Sequence, residues 1–249
     1  MMAYSEPDFI FYPQLQSTNT ELKTLLSNKE LAENTVVITA HQTAGRGQVG
    51  NTWESEANKN LTFSLLLRPR FLAPHLQFYI SKIVSLALVD TIKQVAQMEA
   101  SIKWPNDIYI GNQKVAGILI ENSILGNQLD YCIVGIGLNV NQAVFTSDAP
   151  NPVSLKKLSG KDYDLEALLE TLLDHIEQRY HELEINRKAI INKCYLDVLF
   201  RKDGFHTYKN EKEQFKARIE YINEMGMITL TDTTGKKRQY AFKEVSFVI

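Results

Sequence analysis

The sequence predicts an α+β fold: a mixed or antiparallel central sheet flanked by helices, followed by a small β-barrel-like domain. Three observations predict it. Apolar runs of strand length recur in the first 140 residues (Val36–Ala40, Leu61–Leu67, Tyr131–Val140), and a turn at Ile110-Gly-Asn-Gln113 joins two more into a hairpin over 103–121. Helical spacing occupies the intervals from His75 to about Gln97 and from Asp164 to Ile176. From about residue 204 the pattern changes to short alternating runs, which divides the chain into domains 1–200 and 201–249.

The elements follow in order. Phe9–Tyr12 is a short strand, and Ser17-Thr-Asn19 offers an N-cap for a helix over Glu21–Leu26. The stretch from His75 is apolar on almost every side, as a helix buried against a sheet must be, with His75 itself at the surface. In Tyr131–Val140, alternation puts Cys132, Val134, Ile136 and Leu138 on one face, and Ile133, Gly135, Gly137 and Asn139 on the other. Residues 141–159, with Pro150 and Pro152, read as a loop. Leu165, Leu168, Leu169, Leu172, Leu173 and Ile176 form the stripe of an amphipathic helix, and another helix covers about 186–199. His175 and His181 read as exposed. Phe215–Tyr221, Met227–Thr231, Arg238–Phe242 and Glu244–Val248 are the terminal strands, with turn signals at Asn223–Gly226 and Asp232–Gly235.

Bulk composition excludes several functions. A chain of 249 residues, 44% hydrophobic and 22% charged, is an ordinary globular protein. A net charge of −2 argues against sequence-independent nucleic-acid binding, which needs a positive surface. The two cysteines, Cys132 and Cys194, match no metal spacing, and Cys132 alternates into an apolar strand as a small buried hydrophobe. Residues 1–8 lack the basic and apolar regions of a secretory signal, and no apolar run approaches the roughly 20 residues of a membrane span. A reducing cytoplasm is expected.

Chemistry concentrates in the hairpin and in one loop. Lys103, Asp107 and Lys114 converge on the hairpin, which Pro105 interrupts where Asn106 and Asp107 stand. Alternation assigns Lys114 to a face with Ala116, Ile118 and Ile120, and sets Val115, Gly117, Leu119 and Glu121 opposite. An ammonium at the head of an apolar face is costly unless something negative meets it, so the hairpin reads as an anion site. Gly117 marks a place where a ligand or backbone comes close. The loop Thr43–Trp53 adds Gly45 and Gly47 for close wrapping, Arg46 as a planar fork and Trp53 as a stacking face. Gly45, Gly47 and Gly50 also satisfy G-x-G-x-x-G. No amphipathic helix follows them and no ribose-binding acid stands beyond a second strand, so a dinucleotide-binding turn fails on context.

Taken together, Ser17-Thr18-Asn19, Gly45-Arg46-Gly47 with Trp53, Lys103-Trp-Pro-Asn-Asp107, Lys114-Val-Ala-Gly-Ile-Leu-Ile-Glu121 and Gly135-Ile-Gly-Leu-Asn139 resemble the signature blocks of biotin protein ligases. The blocks stand in the family's order over roughly residues 9–249. The resemblance implies the biotin/lipoate ligase catalytic fold, similar to class II synthetases, with an SH3-like C-terminal domain. It implies ATP and Mg²⁺ as cofactors, biotin as substrate, biotinyl-5′-AMP as bound intermediate, and a biotin carboxyl carrier domain as partner. Ser17, Thr18, Asn19 and Gln42 would bind biotin's ureido ring. Lys114 would meet the carboxylate and α-phosphate, Arg46 and Lys103 the phosphates. Asn106, Gly117, Gly135 and Gly137 would line the site, Trp53 would stack on adenine, and Asn139 would contact the adenine end. The apolar face at Ala116, Ile118 and Ile120 would line the biotin chain. Asp107 is either a metal partner or the base for the incoming lysine.

Gln48 and Asn51 stand where many family members carry arginine, so Gln48 is expected to reach phosphate or biotin through its amide. Only sixteen residues precede Ser17, too few for the DNA-binding module of bifunctional members, so no DNA partner is expected. The carrier is expected to add along an exposed sheet edge. Monomer and homodimer both stay open. The rivals are a lipoate or octanoate ligase and a non-catalytic sensor. The loop and the β-rich end favour biotin over the former, and the joint presence of Lys103, Lys114 and Arg46 opposes the latter.

Overall fold

The computed structural model describes residues 7–48, 50–147 and 150–249; the stretch read above as lacking a secretory signal lies, for residues 1–6, outside them. The first half runs β1 (Asp8–Tyr12), α1 (Thr18–Asn28), β2 (Thr35–Thr39), β3 (Leu61–Leu67), α2 (Phe78–Ala96), β4 (Ser101–Lys103), β5 (Asp107–Ile110), β6 (Gln113–Leu125) and β7 (Gln128–Leu138). Then come α3 (Leu155–Ser159), α4 (Leu165–Glu184), α5 (Lys188–Asp197), β8 (His206–Lys209), β9 (Gln214–Ile222), β10 (Ile228–Asp232), β11 (Lys237–Tyr240) and β12 (Ser246–Phe247).

Seven strands form one sheet in the order β1-β2-β3-β7-β6-β5-β4, with β1 and β2 parallel and every other pair antiparallel. Five more form the terminal sheet, β11-β10-β9-β8-β12, all antiparallel. The α+β expectation holds, with a mixed main sheet and a second small sheet. Because side chains alternate, the main sheet has two dissimilar faces. Cys132, Val134, Ile136 and Leu138 of β7 enter the large core beneath α2 and α4, while Ile133 joins Leu22 of α1 on the other side. Each fully buried aliphatic chain there contributes about 1.5–3 kcal/mol of transfer free energy. Cys132 is buried as read, and burial pushes its thiol up to about 12.

Four readings need correction. The segment 141–159 contains the helix α3, capped by Ser154, whose side chain accepts from Lys157 N. The strand β8 had no distinct sequence signal. His175 is half-buried rather than exposed, and its Nδ1 lies 2.9 Å from Thr91 Oγ1 where α4 packs on α2. The apolar helix α2 carries Lys82, only 1% exposed, whose ammonium donates to Asn192 Oδ1 at 2.8 Å and Ile222 O at 3.3 Å. The rings of Phe78, Tyr79 and Tyr195 surround that ammonium at 4.9–5.7 Å, which explains how helix periodicity tolerates it.

The terminal sheet is tied to the main sheet at its turn 223–227. Trp104 Nε1 donates to Gly226 O at 2.8 Å, and Gly226 adopts a positive φ of 85° with a Cβ position that the Phe78 ring already fills. Lys82, reaching Ile222, is a second tie. No helix among the described residues is long and apolar enough to cross a membrane.

Candidate active site

One residue inserted into β6 creates the site. The β5–β6 ladder pairs Tyr109 with Lys114 but Ile108 with Ala116, so Val115 has no partner of its own. Simple alternation therefore breaks at Val115. Lys114 leaves the Ala116 face and joins that of Gly117, where a methyl group would meet Lys114 Nζ at 3.4 Å. Ala116 and Ile118 instead belong to the core, 0% and 3% exposed. This corrects the expectation that Ala116, Ile118 and Ile120 form an apolar lining beside Lys114; only the edge of Ile118 reaches the cleft. The backbone of Lys114 is clamped from outside the sheet: its N–H donates to Asn151 O and its carbonyl accepts from Val153 N, at 2.8 and 2.9 Å.

The cleft in front of Lys114 has a volume of about 400 Å³, in the range of small-molecule sites. Its floor is the glycine face of the sheet. Gly137 lies opposite Gly117, and Gly135 opposite Leu119. A Cβ on Gly137 would overlap the Trp53 indole, and one on Gly135 would overlap the Asn19 amide. The glycines are required because other side chains already use their space.

At one end stand Ser17, Thr18, Asn19 and Gln42. Ser17 occupies the N-cap position of α1 with extended backbone, yet its side chain makes no cap bond. Thr18 N donates to Gln42 Oε1 at 2.8 Å, and the Ser64 hydroxyl lies 2.7 Å from Thr18 Oγ1 and 2.6 Å from Asn19 Oδ1. These buried groups are held in fixed orientations, as recognition of a small polar ring requires.

At the other end are the charges. Lys114 Nζ lies 2.6 Å from Asp107 Oδ1 and 5.5 Å from the centre of the Trp53 ring. Lys103 Nζ lies 3.9 Å from Asp107 Oδ2 and 4.9 Å from the Tyr109 ring centre. Burial lowers the pKa of Lys103, partly offset by Asp107, with Lys114 and Arg201 pushing the same way as burial. Asn106 Nδ2 donates to Ile118 O at 2.8 Å, which pins the interruption between β4 and β5 against β6.

The described residues of the loop 43–53 cover the cleft. Trp53 N donates to Gly45 O, Gly47 N donates to Asn51 O, and Arg46 pairs with Thr52 across the loop. Arg46, Gly47, Gln48 and Trp53 all line the cleft. Trp53 Nε1 and Gln48 Oε1 are buried there without a partner among the described residues. Gly45 stands off the cleft wall; it serves the loop, because a Cβ there would strike the Trp53 carbonyl. Asn139 is also off the wall. It is 3% exposed and donates to Val153 O at 3.1 Å, bracing the segment that clamps Lys114.

Sequence reasoning missed two contributions. Glu121, on the same strand face as Gly117, accepts from Asn19 Nδ2 at 2.8 Å and pairs with Arg46 at 3.2 Å. Its alternation with Gly117 was the available signal. Phe242, Val245 and Phe247 bring the terminal sheet to the cleft, and no local pattern announced that. The metal expectation at Asp107 does not fit this geometry, since its carboxylate already faces two ammonium groups. Among the described residues no three His, Cys, Asp or Glu side chains cluster as metal ligands.

The sequence comparison decides the family. A model of the Biotin/lipoate A/B protein ligase family matches residues 11–139. The chain belongs to that family. It is similar to the bifunctional ligase/repressor BirA of Bacillus subtilis, with 31% identity over 240 residues that cover 93% of this chain and 72% of the relative. Similarity to the biotin–[acetyl-CoA-carboxylase] ligase of Paracoccus denitrificans is 33% over 230 residues, covering 89% and 93%. The match to BirA of Bacillus spizizenii spans about half of that relative, 54%, at 32% identity over 70% of this chain. Among family folds, a biotin protein ligase from Aquifex aeolicus solved with biotin and ATP superposes with a TM-score of 0.80, at 24% identity, over 96% of this chain and 97% of the other.

Proposed function

We propose that this chain is an ATP-dependent biotin protein ligase. It joins the biotin carboxylate to the α-phosphate of ATP, giving biotinyl-5′-AMP and pyrophosphate, and then passes the biotinyl group to a lysine of a biotin carboxyl carrier domain, releasing AMP. Acetyl-CoA carboxylase, or a related biotin-dependent carboxylase, supplies that domain. The observation that carries the reading is the position of Lys114. Its ammonium stands at the cleft's charged end, with a fixed polar pocket at the opposite end and a glycine floor under Trp53 between them.

The first step brings two anions together, a carboxylate and the α-phosphate of ATP. Their repulsion is offset by Lys114 and Lys103, cations held in a partly desolvated site where such groups act most strongly, and by Arg46 once it turns from Glu121 to the phosphates. The polar pocket of Ser17, Thr18, Asn19 and Gln42 takes the ureido ring, which points the carboxylate toward Lys114. Trp53 stacks on the adenine, and the Gln48 amide, whose Oε1 has no partner among the described residues, bonds the phosphate or biotin. The loop 43–53 excludes water from the hydrolysable anhydride. Magnesium carried by the nucleotide would supply further charge neutralisation at the phosphates, with no side chain of this chain assigned to hold it. In the second step Asp107, beside Lys114 at the charged end of the cleft, accepts the proton of the incoming lysine.

Residues 1–200 form the catalytic domain in this proposal and 201–249 an SH3-like domain that closes one side of the cleft. The carrier adds a strand along β6, whose residues Leu119–Leu125 pair only with β7 among the described residues. Every charged group invoked comes from one chain, so a homodimer is not needed for the chemistry. The net charge of −2 supports a function without DNA, and a cytoplasmic location accords with two free cysteines.

The test is incubation of the protein with ATP, Mg²⁺, a biotin-carrier domain and one acid at a time: biotin, lipoate or octanoate. Pyrophosphate release and a lysine-linked mass gain are expected with biotin only. Product with lipoate or octanoate instead, or none with biotin, overturns the reading.

A further inference from the structure

We infer that Glu121 is a positioning residue that clasps the covering loop to the cleft floor while orienting the polar pocket. The inference rests on the biotin-activation reading for its kinetic consequences and on geometry for the clasp itself. One carboxylate oxygen, Oε1, lies 3.2 Å from Arg46 Nη2, and the other, Oε2, accepts from Asn19 Nδ2 at 2.8 Å. Arg46 Nη1 also donates to Thr20 Oγ1 at 3.3 Å, so the loop's guanidinium is held from β6 and α1 together.

The contacts continue beyond Asn19. Its Oδ1 accepts from the Ser64 hydroxyl, which adjoins Thr18, and Thr18 N donates to Gln42 Oε1. Gln42 is the residue from which the loop departs. The loop's root and its Arg46 are therefore joined through one polar circuit that crosses β6, α1 and β3. Glu121 is the only member of that circuit with formal negative charge, and it holds both a loop cation and a pocket amide. Substrate binding at the pocket thereby acts on the same carboxylate that holds the loop down.

The two oxygens have separable jobs, which makes the assignment testable. Glu121→Ala removes both contacts, whereas Glu121→Gln keeps a neutral acceptor for Asn19 and loses the charge pairing with Arg46. In ligand-free protein, tryptic cleavage after Arg46 should be about three- to fivefold faster in both variants, the scale of a partly exposed ion pair. Glu121→Ala should raise the KM for biotin by about fivefold and shorten the lifetime of bound biotinyl-5′-AMP, with the kcat of pyrophosphate release within about twofold of the parent. Glu121→Gln should restore the biotin KM but not the adenylate lifetime.

Unchanged cleavage after Arg46 in both variants overturns the clasp. A uniform fall in kcat, affinity and thermal midpoint, with no rescue by Glu121→Gln, also overturns it, since that is the behaviour of a purely structural residue. Should the parent itself form no adenylate, the biotin reading fails, while the cleavage rates still decide the clasp.

Discussion

Lys114 Nζ and Asp107 Oδ1 stand 2.6 Å apart across a hairpin whose register slips by one residue between the rung of Lys114 and that of Asp107. The pair owes its existence to that slip. With regular alternation, Lys114 would point into the core under α2 and Asp107 would face only Lys103. The bulge thus decides whether Lys114 joins Lys103 beside Asp107 in the cleft.

Lys114→Ala should reduce pyrophosphate release from biotin and ATP by about 10²–10³-fold, the usual loss when one donor to a developing charge is removed. Thermal unfolding should stay close to that of the parent, because the clamp from Asn151 and Val153 is made by the backbone. A variant that forms the adenylate at the parental rate removes Lys114 from the chemistry.

Asp107→Asn separates the two steps. If Asp107 is the base for the acceptor lysine, transfer to the carrier should fall by about 10²-fold or more while adenylate formation falls less than tenfold. Single-turnover transfer from preformed biotinyl-5′-AMP checks this, and equal losses in both steps would refute the assignment.

Gly137→Ala should displace Trp53, because the added methyl group falls where the indole already lies. The expected result is an increase of about tenfold in the KM for ATP and an altered tryptophan emission, on a protein that remains folded. Unchanged emission would mean that Trp53 does not rest on this floor in solution.

Gln48→Ala tests the residue that replaces the arginine expected from the resemblance. Its Oε1 is buried without a partner among the described residues, so the amide is placed to meet a ligand. Loss of that hydrogen bond should speed adenylate release by about threefold to tenfold. Release at the parental rate, followed by rapid filtration of labelled adenylate, would end the idea.

Lys82 carries the pH prediction. Burial lowers its pKa to about 8, with Glu224 opposing the shift. Above that value the folded protein has released a proton that the unfolded chain keeps until about 10.4, so stability rises with pH across this window. Lys82→Met should flatten the rise, by an amount on the order of 2–3 kcal/mol between pH 8 and 10. Urea midpoints at pH 7.5 and 10 for both proteins measure it; parallel slopes would refute the linkage.

Much of the site was legible because its residues are unusual for their surroundings. The face of Gly135 and Gly137 on an apolar strand, the lysine at the head of Lys114–Glu121 and the glycine loop before Trp53 all stand out against ordinary packing. The structure brings them to one cleft. Lys82 was not legible, since one lysine in a helix reads as surface until Phe78, Tyr79, Tyr195 and Asn192 are seen around it. Asn139 stands off the cleft wall with its Nδ2 given to Val153 O, while its Oδ1 is buried without a partner among the described residues. A strand's alternation tells which face a residue takes, and not whether a neighbouring segment has claimed one of its hydrogen bonds.

The amino-acid order by itself determined most of the strands and helices, the two faces of β7 and the residue types of an anion-handling site, because these depend on periodicity and on local backbone freedom; α3 and β8 were not among them. Only the tertiary structure decided which face Lys114 takes, that Glu121 meets both Arg46 and Asn19, and that the terminal sheet walls the cleft. Those outcomes depend on a ladder slipping by one residue and on segments more than seventy positions apart coming into contact, and no local propensity encodes either.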